Sequence, residues 1–290
     1  MKRIAYLASK VTLPGSPLRR SDAFEHDRMM DAMRAPFEAK GFSVEDVDWA
    51  DEALDWSQYG AALIGTTWDY WDHADLFLET LERIETQTRL FNPAALVRWN
   101  SDKRYLQGLA EKGARTIPTL WIDRVGEDSF RSAFETLNSD DLVFKRQVGA
   151  GADGQFRLSP TDALPDMPYP MMVQPFLSKI QEEGEYSFIF IDGKFSHALL
   201  KQAKPGDYRI QSTYGGTETP VTPGGADLQD ASEILNMLDE TPFYARVDML
   251  HGSDECLVLM ELELIEPYLY PVEGPNLGAL MAEALVTRLA

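Results

Sequence analysis

Apolar positions along the chain alternate between short uniform runs and stretches with a 3.6-residue period, the pattern of a mixed α/β protein. Ile4 to Ala8 is a short apolar run, followed by a Pro/Gly-rich loop from Thr12 to Pro17. A helical pattern then runs from Asp22 to Lys40 and stops at Gly41. Strands are expected at Phe42 to Val47 and Ala61 to Thr66, and a helix over His73 to Thr86. Ser101-Asp102-Lys103 reads as a helix start with Ser101 or Asn100 as cap, and Asp128 to Leu137 as another helix. Strands follow at Leu142 to Phe144 and from Met171 towards Leu177. Tyr186 to Ile191 and Lys194 to Leu200 are joined by Asp192-Gly193, the strongest short hairpin signal in the chain. A helix over Ala226 to Leu238, a strand over Tyr244 to Leu250 and a last helix over Gly278 to Leu289 complete the pattern.

The stretch Cys256 to Tyr270 departs from it. Cys256 to Met260 is wholly apolar and reads as a buried strand, yet the run continues into Glu261-Leu262-Glu263-Leu264. Side chains alternate in a strand, so Glu261 and Glu263 share one face, about 7 Å apart, while Leu262 and Leu264 take the other. Two carboxylates on one patch are neutralised by a metal ion, paired with lysine or arginine, or solvated. Asp248 lies on the preceding strand, and the loop His251 to Glu255 suits an antiparallel neighbour.

Two loops carry further chemistry. Gly149-Ala150-Gly151-Ala152-Asp153-Gly154 satisfies G-x-G-x-x-G, but Gln155 to Leu158 alternates like a strand where a dinucleotide fingerprint needs a helix. Strand, glycine loop, strand is a hairpin: either a flap whose backbone N–H groups cover phosphates, with Lys145 and Arg146 at its entry, or a plain surface turn. Gly65-Thr66-Thr67-Trp68-Asp69-Tyr70 follows the third strand, where open α/β sheets bind ligands; packing against a neighbouring lobe is the other reading.

Composition narrows the classes. In 290 residues, 47 acidic against 27 basic side chains give a formal charge of −20. Such a field repels nucleic acid and anionic membranes. The single cysteine excludes an intrachain disulfide, and its place in the apolar run predicts a buried, inert thiol. The apolar core of MKRIAYLASK is too short for a signal peptide and no segment approaches a membrane span, so a cytoplasmic location is expected. Scattered histidines without HExxH spacing argue against zinc, and neither a Walker loop nor a G-x-S-x-G elbow is present.

The polar residues inside apolar strands are Lys145, Lys201, Arg209, Asp248, Glu261 and Glu263. Carboxylates bind Mg²⁺ together with nucleotide phosphates, and cations facing the same space balance phosphate charge. A Mg-nucleotide site under a glycine flap is the reading these residues give. The order Lys103, Lys145, Gly149 to Gly154, Gln174-Pro175-Phe176-Leu177, Gly184-Glu185, Arg209, Gly215-Gly216, Asp248, Glu261-x-Glu263 resembles the ATP-grasp superfamily, in its glutathione-synthetase-like branch. Thr67 to Tyr70, Arg98-Trp99-Asn100, Phe195 to Ala198 and Glu261 to Pro267 are similar to the cyclo-ligase group that closes O-ureido-serine in cycloserine biosynthesis.

That resemblance implies an α/β (α+β) ATP-grasp fold: an N-terminal open α/β domain (1–97), a small lid subdomain (98–173) and a large subdomain with the metal site (174–290). It implies an ATP-dependent carboxylate-amine ligase acting through an acyl phosphate on an amino-acid-like small molecule. A phosphotransferase of the same fold and a non-catalytic nucleotide-binding module are the alternatives. Lys103 and Lys145 would contact ATP, Gly149, Gly151 and Gly154 would cover its phosphates, and Gln174, Phe176 and Leu177 would lie at the adenine. Glu185 would lie near the ribose. Arg209 and Lys201 would be catalytic. Asp248, Glu261 and Glu263 would hold Mg²⁺, with Mn²⁺ as alternative, and Thr67, Trp68, Asp69, Gly215 and Gly216 would meet the substrates. Glu263 departs from the asparagine of many relatives, and Gly65 from the arginine expected before this loop. The oligomeric state is left open between homodimer and homotetramer.

Overall fold

The computed structural model describes residues 1–149, 154–204, 206, 210 and 215–290. Among these residues the strands form three sheets. The first is parallel: β1 (Lys2–Ala8), β2 (Phe42–Asp48), β3 (Ala61–Ile64) and β4 (Leu90–Phe91), in the order β2-β1-β3-β4. It is flanked by α1 (Phe24–Ala39) and α2 (Ala74–Glu85), whose apolar faces bury Met29, Met33, Phe37, Phe77 and Leu81.

After α3 (Ala94–Asn100) and α4 (Tyr105–Glu111) comes an antiparallel sheet of β5 (Leu120–Ile122), β6 (Leu142–Arg146), β7 (Phe156–Leu158) and β8 (Met171–Pro175), in the order β5-β8-β6-β7. Its core is Phe130 and Phe134 of α5 (Glu127–Leu137) against Leu142, Phe144 and Val173. β6 and β7 pair as the antiparallel hairpin strands expected from sequence; Ala150 to Asp153 lie outside the described residues.

The third sheet follows α6 (Lys179–Glu182). It consists of β9 (Glu185–Ile191), β10 (Lys194–Gln202), β11 (Thr217–Val221), β12 (Tyr244–His251) and β13 (Leu257–Glu263), antiparallel in the order β11-β10-β9-β12-β13. One face packs Phe188, Ala245, Val247, Leu259 and Leu262 against Ala231, Ile234 and Leu235 of α7 (Gly225–Asn236). The Asp192-Gly193 turn has φ +52° and +72°, as a type I′ hairpin requires. The last helix, α8 (Leu277–Arg288), returns to α1, where Gly278 approaches so closely that a Cβ would lie 1.9 Å from the Ala32 carbonyl oxygen.

Three expectations need correction. Lys103 is not on a helix: α3 ends at Asn100 and α4 begins at Tyr105, because the backbone between turns aside to donate from Lys103 N–H to the Gln147 carbonyl at 2.9 Å. Asn100 is no cap, for its side chain is drawn to β13. Cys256 is exposed, since it closes the turn after β12, where its carbonyl accepts from Gly252 N–H at 2.9 Å. Finally, β13 contains a bulge: Asp248 pairs with Glu261 and Met249 with Leu259, leaving Met260 without a partner on β12.

Candidate active site

β13 is the edge of its sheet, and its outer backbone groups need partners. The Arg115 carbonyl, accepting from Leu259 N–H at 2.7 Å, and several side chains supply them. Leu262 N–H donates to the Tyr105 hydroxyl at 2.8 Å, and the Asn100 amide donates to the Leu262 carbonyl at 2.9 Å and accepts from Leu264 N–H at 3.0 Å. Asn92 does the same next door, donating to the carbonyls of Leu264 at 2.8 Å and Tyr244 at 3.0 Å. The strand bearing the glutamates is thereby fastened to the segment bearing Lys103.

Opposite its apolar face, the third sheet presents Glu185, Lys201, Arg246, Asp248, Glu261 and Glu263 to a cleft of about 530 Å³. Lys201 Nζ sits 2.5 Å from Glu185 and 3.3 Å from Asp248. Asp248 also accepts from Ser187 and from Arg246 at 3.0 Å, and Arg246 reaches on to Glu263 and to the Tyr268 carbonyl at 3.1 Å. Lys103 Nζ joins two elements, contacting Glu261 at 2.8 Å and donating to the Gly149 carbonyl of the flap at 2.7 Å. Lys145 donates to Gln174 at 3.2 Å, and Gln174 is held in turn by Thr119.

Burial and charge work against each other here. Burial opposes ionisation of Asp248, but Arg246 and Lys201 outweigh it and hold its carboxyl below the usual range. Glu261 is likewise lowered, Lys103 overcoming burial. Burial raises Glu185, and it pushes Glu263 up to about 8, with Glu261 adding to the rise and Arg246 opposing it. Lys145 is lowered by burial, whereas Lys103 is raised because the glutamates around it exceed the burial cost.

An apolar slot adjoins this charged floor. Phe176 and Leu177 pack with Ile180, Ile210, Leu250 and Met260. Elsewhere Trp68, Tyr70 and Trp71 of the β3 loop line the cleft with Arg20, whose guanidinium lies 5.5 Å from the Trp68 ring.

Of the residues expected from sequence, Lys103, Lys145, Gly149, Gln174, Phe176, Leu177, Glu185, Lys201, Asp248, Glu261, Glu263 and Trp68 line this one cleft. Gly151 and Arg209 lie outside the described residues. Gly154 packs on the Arg146 side chain, and Gly216 lies against the Ile210 carbonyl, where a Cβ would come within 2.0 Å; neither these nor Gly215 are in the lining. Thr67 and Asp69 also turn inwards: the Thr67 carbonyl closes a tight turn, and Asp69 accepts from the Trp49 indole at 2.8 Å. Gly65 has a physical reason, since a Cβ there would sit 2.2 Å from the Tyr6 ring and 2.7 Å from the Leu7 carbonyl oxygen. An arginine has no room.

Sequence reading passed over Arg246 and Glu266, both in the lining. Arg246 was detectable two residues before Asp248, on the same face of β12. Glu266 follows the strand and has no period to place it. Among the described residues no group of three or more His, Cys, Asp or Glu side chains converges as a metal site. Each expected ligand holds a cation instead. The donor chemistry nevertheless suits Mg²⁺: Asp248 and Glu261 are direct cross-strand neighbours and Glu263 shares their face, giving hard oxygen donors on one patch.

Comparison with known proteins places this geometry. Residues 4–92 match the family model described as the N-terminal domain of the D-cycloserine synthetase DcsG. The chain is 28% identical over 271 residues to the cycloserine biosynthesis protein DcsG of Streptomyces lavendulae, covering 86% of this chain and 90% of that protein. The crystal structure of D-cycloserine synthetase DcsG superposes with a TM-score of 0.84 at 24% identity, covering 99% of this chain and 100% of that one. A glutathione synthetase of Prochlorococcus marinus (strain MIT 9313) is 28% identical over 228 residues, 75% of this chain and 69% of that protein. The ATP-grasp ligase PsnB, in a complex with Mg and ADP, gives a TM-score of 0.67 at 14% identity over 99% and 98% of the two chains. No described helix is long and apolar enough to cross a membrane. The chain has the fold of the ATP-grasp ligases.

Proposed function

We propose that this chain is an ATP-dependent carboxylate-amine ligase acting on an amino-acid-like small molecule through an acyl phosphate. One observation carries the reading: Lys103 links the flap, at Gly149, to the acidic strand, at Glu261, so a polyphosphate entering between them meets a lysine already placed for it. The names of its relatives support ligation, and the PsnB complex holds Mg and ADP.

In this mechanism the Phe176–Leu177 slot takes the adenine, and Lys103 and Lys145 neutralise phosphate oxygens. Glu261 and Glu263 would hold Mg²⁺ with Asp248 beside them; bound there, the ion supplies charge neutralisation on the phosphates. Lys145, depressed by burial, is strengthened as a cation when phosphate arrives. Arg246 and Lys201 keep Asp248 ionised. A substrate carboxylate attacks the γ-phosphate, ADP leaves, and an amine displaces phosphate from the acyl carbon. The chain's own contribution is positioning and preorganised charge. The three-lobed cleft divides between the nucleotide slot and the Trp68 side, where the acid and amine meet.

Incubation with Mg-ATP and pooled amino acids tests this. ADP release that depends on both an acid and an amine is expected; a stable phosphorylated product, or binding without turnover, would overturn it. Glu261→Gln should abolish turnover and weaken Mg-ATP binding, and unchanged activity would sink the metal assignment.

A further inference from the structure

Asp248, Glu261 and Glu263 each carry a lysine or arginine partner in the cleft. Glu266 does not. It lies past the end of β13, lines the same cavity and is half-buried, yet among the described residues no cation comes within ion-pairing distance of it. Its carboxylate accepts from its own backbone N–H. A half-buried carboxylate without a cation costs free energy, and a ligand that brings positive charge offsets it.

Its position separates it from the phosphate-facing groups. The Glu266 carbonyl accepts the Trp68 indole N–H at 3.4 Å, so the residue is tied to the β3 loop of the N-terminal lobe. Tyr70, Trp71 and Tyr268 line the cavity with it. Aromatic walls exclude water and strengthen the pull of the Glu266 carboxylate on a charged visitor.

We propose that Glu266 is a catalytic residue that receives the ammonium of the amine substrate and takes its proton before the bond-forming step, an assignment that rests on the ligase reading above. The ammonium gives one proton to the Glu266 carboxylate. The freed nitrogen lone pair attacks the acyl carbon of the acyl phosphate and the C–N bond forms. The C–O bond to phosphate then breaks, the electron pair leaves on phosphate, and the second nitrogen proton goes to that leaving group.

The acid-base properties agree with this role. Burial raises the Glu266 carboxyl to about 7, with its own N–H, Lys103 and Arg246 opposing and Glu261 reinforcing the rise. The other groups facing it are Glu263 on β13, Tyr70 after β3 and Tyr244 on β12. A base of that strength both accepts and returns a proton near neutrality.

The test uses hydroxylamine, which is largely unprotonated at neutral pH and converts acyl phosphates to hydroxamates without a base. Wild type and Glu266→Gln are each given Mg-ATP and pooled L- and D-amino acids, with and without hydroxylamine. Glu266→Gln is expected to bind Mg-ADP normally and to form hydroxamate within about twofold of wild type. Its amide formation should fall about 100-fold, the lower range for a lost general base. Amide formation within tenfold of wild type, or equal loss of hydroxamate, overturns the assignment. If Glu266→Gln fails to bind Mg-ADP, Glu266→Asp decides: hydroxamate retained with amide reduced supports the role, and both lost together refutes it. Should the wild type release no ADP with any pool, the ligase reading itself falls, and this assignment with it.

Discussion

Asn100→Ala removes the side chain that holds β13 from outside. Asn100 is 7% exposed, and the backbone groups it serves belong to Leu262 and Leu264, at 1% and 0%. Truncation leaves the Leu262 carbonyl and the Leu264 N–H without partners. A buried polar group stripped of its hydrogen bond costs about 1–3 kcal/mol, so two give about 2–6 kcal/mol. That is a large part of a typical folding free energy of about 5–15 kcal/mol. Chemical denaturation should show an earlier midpoint with an unchanged slope. Asn100→Asp refines the test: its carboxylate still accepts from Leu264 N–H but donates nothing to Leu262, so one bond is lost and a carboxylate oxygen is set against the Leu262 carbonyl oxygen. Both variants should also weaken nucleotide binding, because Glu261 and Lys103 lie on the two segments that Asn100 fastens together. A midpoint shift worth less than about 1 kcal/mol would refute the account, showing that water serves the edge as well as the amide does.

Lys201→Met should cost about 3–5 kcal/mol, because it leaves Glu185 and Asp248 buried side by side with less positive charge; adding Glu185→Gln should restore part of the denaturation midpoint. Gly65→Ala should destabilise by about 1–3 kcal/mol through collision with the Tyr6 ring, and Tyr6→Ala in the same chain should recover part of the lost thermal midpoint. His197, lowered to about 4 by burial against its backbone hydrogen bonds to Leu269 and Tyr270, predicts a pH effect. The unfolded chain protonates this ring near pH 6.5 and the folded chain only near 4, so its contribution is present above about 6.5 and is lost as pH falls towards 4. The full span is about 3 kcal/mol, and His197→Gln should flatten that part of the stability-pH curve.

Local patterns were legible and long-range pairings were not. The Asp192-Gly193 hairpin followed from two residues that tolerate positive φ, and the shared face of Glu261 and Glu263 from strand alternation. The antiparallel pairing of β12 with β13 followed from a short loop. Cys256 was misread because apolar neighbours do not reveal where a turn ends. Lys103 looked helical because Ser-Asp-Lys is a common helix opening, and only the distant Gln147 carbonyl draws it out. The roles of Asn92 and Asn100 depend on partners far along the chain, which no local signal encodes. Arg246 was visible on the correct strand face, but its pairing with Glu263 becomes meaningful only once the two strands are in register.

The Met260 bulge sets the phase of the whole binding floor. Leu257 and Leu259 face the core before it, and Leu262 and Leu264 face the core after it, so the alternation changes step at this residue. A strand in regular step could turn either Met260 or Glu261 towards the cleft, since adjacent side chains oppose. The slipped step turns both, so one strand packs Val258 and Met260 into the apolar slot and lays Glu261 and Glu263 along the charged floor. Loss of one residue here would rotate half of the floor out of the site while leaving every other residue in place. Chains that share this site therefore have to keep the residue count of β13, whatever freedom they have in the identity of the residue at the bulge.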